Sequence, residues 1–258
     1  QERDPAQLPW RDLDVDIVVE STGVFTTYEK AKAHLDAGAK RVVISAPADD
    51  ATDTVLVGVN DDKFASAKPI TCNASCTTNS VAPVLTILQE KFGIEKAGMI
   101  TAHGYTASQN LVDGSNDHDM RRGRAAAINI VPSTTGAAKA VVQSLPILEG
   151  KFDAVALRVP TITGSLSVVT ALLEKETDVE YINSIFENAA QEDRWAKVLK
   201  VTSDPIVSTD VIGEPYGAII DLSLTKVIGG NLVKIFSWYD NEWGYCATLL
   251  EHVKRLTP

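Results

Sequence analysis

Methionine and cysteine are scarce in this chain. Its 258 residues hold two methionines, the first of them Met99, and open at Gln1, an opening we read as that of a fragment. The three cysteines, Cys72, Cys76 and Cys246, are too few and too odd in number for a disulfide framework. Reduced thiols in a cytosolic compartment are the expectation. Cys-x-x-Cys and His-x-x-x-His pairs are missing, so no metal-ligand spacing is present. Apolar runs of membrane-spanning length are missing too, as is a basic-then-apolar leader. Positive charge is in deficit: 24 Lys and Arg against 34 Asp and Glu leave a net charge of −10, which opposes binding to nucleic acid and to anionic membrane. An anionic substrate must then be captured by local cations or backbone N–H groups. No Gly-x-Gly-x-x-Gly follows a strand, so a complete dinucleotide fingerprint is absent.

What is present is an ordinary globular balance, 45% apolar and 22% charged, long enough for one large domain or two of ordinary size. The front alternates strand and helix signals. Residues 16–20 and 41–45 are β-branched runs; between them Thr26-Thr27-Tyr28-Glu29 reads as a capping box and 30–37 as a helix closed by Gly38. Strand, helix, strand at this spacing predicts a βαβ unit and a parallel sheet. A helix is expected after Cys76, through Val81, Val84, Leu85, Leu88 and Phe92, with Pro83 early in it or kinking it. Residues 107–131 carry no period and read as a long ordered or functional loop. Ser133 or Thr134 is expected to cap a helix through Leu145, and Asp178 one through Ala189. Strands are predicted at 97–106, 152–161, 165–173 and, broken at Gly229-Gly230, within 218–237. A terminal helix is expected to carry Leu249, Leu250 and Val253. The loss of strict alternation near 73–76 predicts a domain boundary there.

Cys76 lies where a strand-like segment hands over to a helix. Unpaired N–H groups and the dipole would favour a thiolate there, although a free cysteine can equally be a small buried apolar residue. His103 ends a predicted strand, a place of display for active-site groups or a structural position; with Cys76 it fits a Cys–His pair. Arg158 sits inside the apolar strand Val155-Ala156-Leu157-Arg158-Val159 and needs an anionic partner, either a structural carboxylate or a substrate. Thr135-Gly136 opens a helix and is either an anion seat or an ordinary cap. Arg121, Arg122 and Arg124 form a basic loop, solvated or facing a phosphate or a neighbouring subunit.

Several of these segments resemble the glyceraldehyde-3-phosphate dehydrogenase family, nearly from end to end. Ala74-Ser75-Cys76-Thr77-Thr78-Asn79 is similar to its specific active-site signature. Ser133-Thr134-Thr135-Gly136-Ala137-Ala138-Lys139-Ala140, Leu157-Arg158-Val159-Pro160-Thr161 and the run from Ser237 to Tyr245 resemble three further blocks in the family order. Glu20-Ser21-Thr22-Gly23-Val24-Phe25 and Ile44-Ser45-Ala46-Pro47 resemble its later coenzyme-domain strands. The resemblance implies an α/β fold: a partial doubly wound (Rossmann) coenzyme domain at 1–75, an α+β catalytic domain with a mixed sheet at 76–240, and a helix at 241–258 returning to the first.

It further implies oxidation and phosphorylation of glyceraldehyde 3-phosphate through a thioester on Cys76, with His103 as base. Thr106, Ser108 and Arg158 would hold the substrate's phosphate, and Ser75, Thr77, Thr135 and Gly136 the attacking inorganic phosphate. Asn241 would orient the nicotinamide, with Thr22, Gly23 and Ser45 near the coenzyme, which is NAD with NADP not excluded. A cytoplasmic homotetramer is implied, with residues 107–131 reaching toward a neighbour's coenzyme site. The chain departs from the family at Ser80, where a second cysteine is frequent, at Ser108 and at Met120. It also lacks the glycine-rich turn and the ribose-reading acid. Two rival readings are erythrose-4-phosphate dehydrogenase, which favours hydrolysis of the thioester, and a truncated, catalytically silent subunit. The intact Thr135-Gly136 seat leans toward the triose enzyme.

Overall fold

The computed structural model describes residues 2–48, 50, 52–117 and 119–257. Two sheets organise them. The first is built from β1 (Ile17–Glu20), α1 (Tyr28–Asp36), β2 (Arg41–Ile44), β3 (Asp53–Thr54), α2 (Asp62–Ser66) and β4 (Ile70–Cys72). Its four strands run in the order β1-β2-β4-β3, every pair parallel, as the front βαβ pattern requires. Helix α1 starts one residue later than the Thr26/Glu29 box predicts. Thr27 is the cap, its hydroxyl accepting the Lys30 N–H at 3.3 Å, so the third helical residue is a lysine and no reciprocal box forms.

The second part contains α3 (Cys76–Phe92), β5 (Ile94–Gly104), β6 (Val131–Ser133), α4 (Ala137–Ser144), β7 (Phe152–Val159), β8 (Ser165–Leu173), α5 (Val179–Ala189), β9 (Leu199–Thr202), β10 (Ala218–Asp221), β11 (Lys226–Ile228), β12 (Leu232–Tyr239) and α6 (Trp243–Leu256). Its eight-stranded sheet runs β6-β7-β5-β8-β12-β10-β9, with β11 beside β12. The pairing is mixed: β5–β7 and β9–β10 are parallel, the remaining pairs antiparallel. Burial alternates along β8 and β12, so one face of the sheet is core and the other is not. Helix α3 fills that core with Val81, Val84, Leu85 and Leu88, packed with Met99, Val169, Val233 and Ile235 of the sheet and Phe186 of α5.

Three sequence expectations need correction, and several short elements were not predicted. Pro83 sits in the interior of α3, and the helix is continuous across it. The N-cap of α4 is Gly136; Ser133 ends β6, and Thr134 makes no cap. The short elements β3, β4, β6, β9 and α2, of two to five residues, escape periodicity because they are too short to show one. Finally, α6 buries Gly244, Thr248, His252 and Leu256, whereas Leu250 is 53% exposed. A polar stripe faces inward there because His252 has partners on the first sheet: the Thr71 hydroxyl at Nε2 (2.8 Å) and the Val55 carbonyl at Nδ1 (3.0 Å).

Residues 107–131 hold a 3-10 turn at Met120–Gly123 and no strand or α-helix among those described before β6 begins at Val131. Cross-links from Asn110 N to Arg122 O and Gly114 N to Gly123 O order the segment.

Candidate active site

Three adjacent parallel strands, β1, β2 and β4, release the chain on one edge of the first sheet, the place where open α/β sheets bind ligands. Thr22-Gly23 follows β1, Ser45 follows β2, and Asn73-Ala74-Ser75-Cys76 follows β4. The topology therefore gathers these coenzyme candidates and the candidate nucleophile at a common edge. The turn after β1 is held by Glu20, only 3% exposed, which accepts the Thr22 N–H at 2.7 Å and also its hydroxyl. His34 donates from Nε2 to the same carboxylate at 2.7 Å, since its Nδ1 accepts the Trp10 indole N–H at 3.1 Å. Gly23 has φ +73° with open space around it, which suits a backbone that a ligand approaches closely.

The segment entering α3 is fixed from several sides. Ala74 takes a left-handed conformation, φ +53°, and its carbonyl accepts the Tyr245 hydroxyl at 3.0 Å. Ser75 caps the helix, its hydroxyl accepting the Thr78 N–H at 3.1 Å. Asn79 donates to the carbonyls of Asn73 (2.9 Å) and Ser75 (3.0 Å). Cys76, the first helical residue, then faces His103 near the end of β5, with Sγ 3.4 Å from Nε2. Tyr239 lies edge-on to the imidazole, ring centroids 5.9 Å apart, and its hydroxyl bridges Thr77 (3.0 Å) and Thr101 (2.9 Å).

The electrostatics of the pair differ from the sequence expectation. Cys76 is half-buried, and desolvation there pushes the thiol up. The Thr77 hydroxyl and the positive charge of Arg158 act the other way without reversing it. Burial, helped by Arg158, holds His103 down to about 4. Burial thus opposes charge on both groups, against the pull of the helix N-terminus on the sulfur.

Arg158 on β7 is in direct register with His103 on β5. Its Nη1 lies 2.7 Å from His103 Nδ1 and 3.2 Å from the Gly104 carbonyl. Its Nε is buried with no partner, and no carboxylate pairs with it among the described residues. The structural salt bridge is thus absent, and a cation without a counter-ion remains. Thr106 and Ser108, just beyond β5, have hydroxyls 2.9 Å apart. Thr135 and Gly136 lie at the start of α4, where the Thr135 hydroxyl accepts the Ala137 N–H at 3.1 Å. A Cβ at Gly136 would stand 3.8 Å from Pro47, so this helix end abuts the exit of β2.

Ser75 and Thr77 spend their hydroxyls internally, on the cap and on Tyr239. In the basic loop Arg124 pairs with Asp113 at 3.1 Å, and Arg122 reaches the Thr134 carbonyl at 3.3 Å beside an open groove of about 630 Å³.

Asn241 is pinned through Oδ1, which accepts the Ser165 hydroxyl at 2.9 Å and the Gly164 N–H at 3.2 Å. Gly164 is required there: its φ is +89°, and a Cβ would collide with the Ser208 carbonyl. With the oxygen so occupied, the amide nitrogen is the part left to meet a ligand. Asp240 starts α6 by accepting the N–H groups of Glu242 (2.8 Å) and Trp243 (2.9 Å). Sequence reasoning assigned no role to Tyr239, Tyr245, Asp240, Asn79 or the Trp10–His34–Glu20 chain. None carried a periodicity signal; the predicted strand ended at 237, short of Tyr239, which closes β12. Among the described residues no group of three or more His, Cys, Asp or Glu could hold a metal, and no helix is long and apolar enough to cross a membrane.

A small parallel sheet of partial Rossmann type joined to a larger mixed sheet that displays a thiol–imidazole pair defines an α/β protein with a partial coenzyme-type domain and a second domain bearing that pair. The family model described as "Glyceraldehyde 3-phosphate dehydrogenase, C-terminal domain" matches residues 75–241. The chain is 55% identical over 249 residues to the glyceraldehyde-3-phosphate dehydrogenase of Mycobacterium avium, covering 96% of this chain and 73% of that protein. It is 54% identical to that of Mycolicibacterium smegmatis, covering 96% of this chain and 72% of the relative. With glyceraldehyde-3-phosphate dehydrogenase 2 of Streptomyces avermitilis it shares 48% identity over 97% of this chain and 74% of the relative. The chain belongs to the glyceraldehyde-3-phosphate dehydrogenase family.

Proposed function

We propose that this chain oxidises and phosphorylates D-glyceraldehyde 3-phosphate to 1,3-bisphosphoglycerate through a thioester on Cys76. The observation that carries the reading is the 3.4 Å approach of Cys76 Sγ to His103 Nε2 beside a half-buried guanidinium whose Nε has no partner. The anionic end of the substrate supplies a counter-ion, with Thr106 and Ser108 as further donors. As sulfur attacks the aldehyde carbon, the thiol proton passes to His103 Nε2 and returns to the alkoxide, giving a hemithioacetal. His103 takes that hydroxyl proton again as the carbon is oxidised to the thioester. Inorganic phosphate, seated by Ser75, Thr77, Thr135 and Gly136, then displaces Cys76 as thiolate and leaves with the acyl group. The electron acceptor is NAD, or NADP bound in the same way, which when bound takes two electrons and a hydrogen from the substrate carbon. Asn241, with its oxygen tied and its amide nitrogen free to donate, would orient the nicotinamide; Thr22, Gly23 and Ser45, at the carboxyl ends of β1 and β2, would line the coenzyme site.

We divide the chain into a coenzyme part (1–75), a catalytic part (76–240) and a returning helix (241–258); the two sheets and the contacts of α6 with Thr71 and Val55 support that reading. A homotetramer is the proposed assembly and the cytoplasm its location. The sheet face away from the core carries an apolar row, Val155, Ile100, Val168 and Phe236, aligned across four strands and suited to a second copy. Met120, 88% exposed, and Ile128, 80% exposed, stand on or near the 3-10 turn as further contact points for a neighbour.

The test is glyceraldehyde-3-phosphate-dependent reduction of NAD, with and without phosphate. It is run on this chain and on the chain extended by the segment that its relatives carry beyond the aligned region, each beside Cys76→Ser. Phosphate-dependent turnover that is lost in the serine variant supports the reading. Turnover indifferent to phosphate favours the erythrose-4-phosphate enzyme, and a folded, extended, inactive protein favours the silent subunit.

A further inference from the structure

We propose that Glu20 is the positioning residue of the coenzyme turn, acting as a carboxylate whose partners are set through His34 by the indole of Trp10. The proposal rests on the reading above that Thr22, Gly23 and Ser45 line the coenzyme site.

The side-chain bonds along this chain all run toward Glu20. The Trp10 indole N–H can only donate, and it meets His34 Nδ1 across 3.1 Å. Nδ1 is therefore the acceptor, and the ring hydrogen sits on Nε2, 2.7 Å from Glu20 Oε2. A ring protonated at both nitrogens would set an N–H against the indole N–H, so the geometry itself excludes it. The other oxygen of Glu20 takes the Thr22 N–H at 2.7 Å and the Thr22 hydroxyl proton. Each of these partners donates and none asks for a hydrogen, a set that a carboxylate satisfies in full. His34 and Glu20 are 4% and 3% exposed. Phe25 stands edge-on to the imidazole, centroids 6.2 Å apart, so water does not replace a lost partner there.

The residues so held are those of the candidate coenzyme edge. The Thr22 hydroxyl, its proton given to Glu20, accepts the Val24 N–H at 3.1 Å and closes the turn around Gly23, whose φ is +73°. The main-chain carbonyl of Glu20 accepts the Ser45 N–H at 3.0 Å and ties the exits of β1 and β2 together. Thr22 thus serves the site through the shape of the turn, and the open backbone at Gly23 is the surface offered to the coenzyme.

An amide cannot stand in for this carboxylate. Glu20→Gln keeps the size but brings an NH2 group to a point where every neighbour donates. If that group faces His34, the ring must accept at Nε2 and carry its hydrogen on Nδ1, against the Trp10 N–H. If it faces Thr22, it meets two donors. Either way a buried donor is left unpaired, which is worth about tenfold in an equilibrium. His34→Gln, in contrast, keeps both roles, its oxygen accepting from Trp10 and its nitrogen donating to Glu20.

The test begins with 15N NMR of this chain without coenzyme, the His34 ring and the Trp10 indole assigned by His34→Gln and Trp10→Phe. The His34 ring should be protonated at Nε2 alone; a hydrogen on Nδ1 would overturn the proposal with no variant needing to fold. Glu20→Gln should move the Thr22 and Val24 amides or the Trp10 indole, and His34→Gln should leave the turn amides in place. Signals all unmoved in Glu20→Gln would overturn it. Fluorescence titration with NAD follows, on the chain extended by the segment that its relatives carry beyond the aligned region. Glu20→Gln should raise the Kd for NAD about tenfold, with the KM for glyceraldehyde 3-phosphate unmoved. His34→Gln should bind NAD as wild type does, and His34→Leu should lose affinity as Glu20→Gln does. Wild-type affinity in Glu20→Gln, or equal loss in His34→Gln and His34→Leu, would overturn the proposal. If saturating NAD leaves the wild-type Thr22 and Gly23 amides unmoved, the coenzyme reading fails and takes the proposal with it. The coenzyme-free spectra of Glu20→Gln tell that failure apart from a turn that Glu20 does not hold.

Discussion

The hydroxyl of Tyr245 donates to the carbonyl of Ala74 across 3.0 Å and 171 residues of sequence. One end of that bond is on the terminal helix; the other is the left-handed residue two places before Cys76. A non-glycine residue in this conformation costs about 1–2 kcal/mol and persists because its surroundings hold it. Tyr245→Phe removes the clamp, and loss of roughly 1 kcal/mol of hydrogen bonding at the entry to α3 should let the thiol drift from His103. We expect kcat to fall about tenfold with little change in KM for either substrate. Ala74→Gly, which relieves the backbone cost, should restore part of it in the double variant. Equal kcat in Tyr245→Phe and wild type would show that the clamp does not position the thiol.

Asn241 makes a prediction about stability as well as binding. Its oxygen satisfies a hydroxyl and an N–H that are otherwise buried, those of Ser165 and Gly164. Asn241→Ala leaves both without an acceptor, at a cost of about 1–3 kcal/mol for each group that stays dry. The urea midpoint should drop accordingly, alongside weaker coenzyme affinity measured by fluorescence titration. A variant of unchanged stability would mean that the oxygen is not pinned.

Much of this arrangement is legible in the residues. The βαβ front follows from β-branched runs around a capped helix, and Asp178 caps α5 as read, accepting the Tyr181 N–H at 2.7 Å. Cys76, His103 and Arg158 draw attention by their places at element ends or inside an apolar strand. Illegible were relationships made only by tertiary contact. The register that sets His103 beside Arg158 depends on which strands pair. The inward face of α6 is polar because Thr71 and Val55 await His252, so hydropathy pointed to the wrong stripe. The cap of α1 shifted by one residue because Thr26 and Thr27 offer equivalent hydroxyls, whereas α4 starts at Gly136 with no side-chain cap at all.

That buried histidine gives a pH dependence. Burial lowers His252 from its ordinary 6.5 to about 4 in the folded chain, while the unfolded chain keeps the ordinary value. The unfolded state therefore binds the proton first as pH falls. The contribution to stability is complete above 6.5 and is lost progressively toward 4, to a total of up to about 3 kcal/mol. His103 acts with the same sign. Urea midpoints measured from pH 7 to 4.5 should fall with acid, and His252→Gln should flatten the slope. An identical slope in the variant would assign the acid sensitivity elsewhere.

The apolar row on the outer sheet face predicts the assembly. Val168, in register with Ile100 on one side and Phe236 on the other, lies at its centre. Val168→Lys should place a charge in a subunit contact and give a smaller species by light scattering, with the far-ultraviolet circular dichroism unchanged. A variant of wild-type mass would remove that face from the interface.

The claim on which the rest depends is that Cys76 becomes acylated. Incubation with glyceraldehyde 3-phosphate and NAD in phosphate-free buffer, acid quenching and peptide mass spectrometry test it directly. The expected result is one phosphoglyceroyl group on the peptide bearing Cys76, absent from Cys76→Ser and discharged by added phosphate. NADH formed with no acyl group on that peptide, or an acyl group on another residue, would contradict the account.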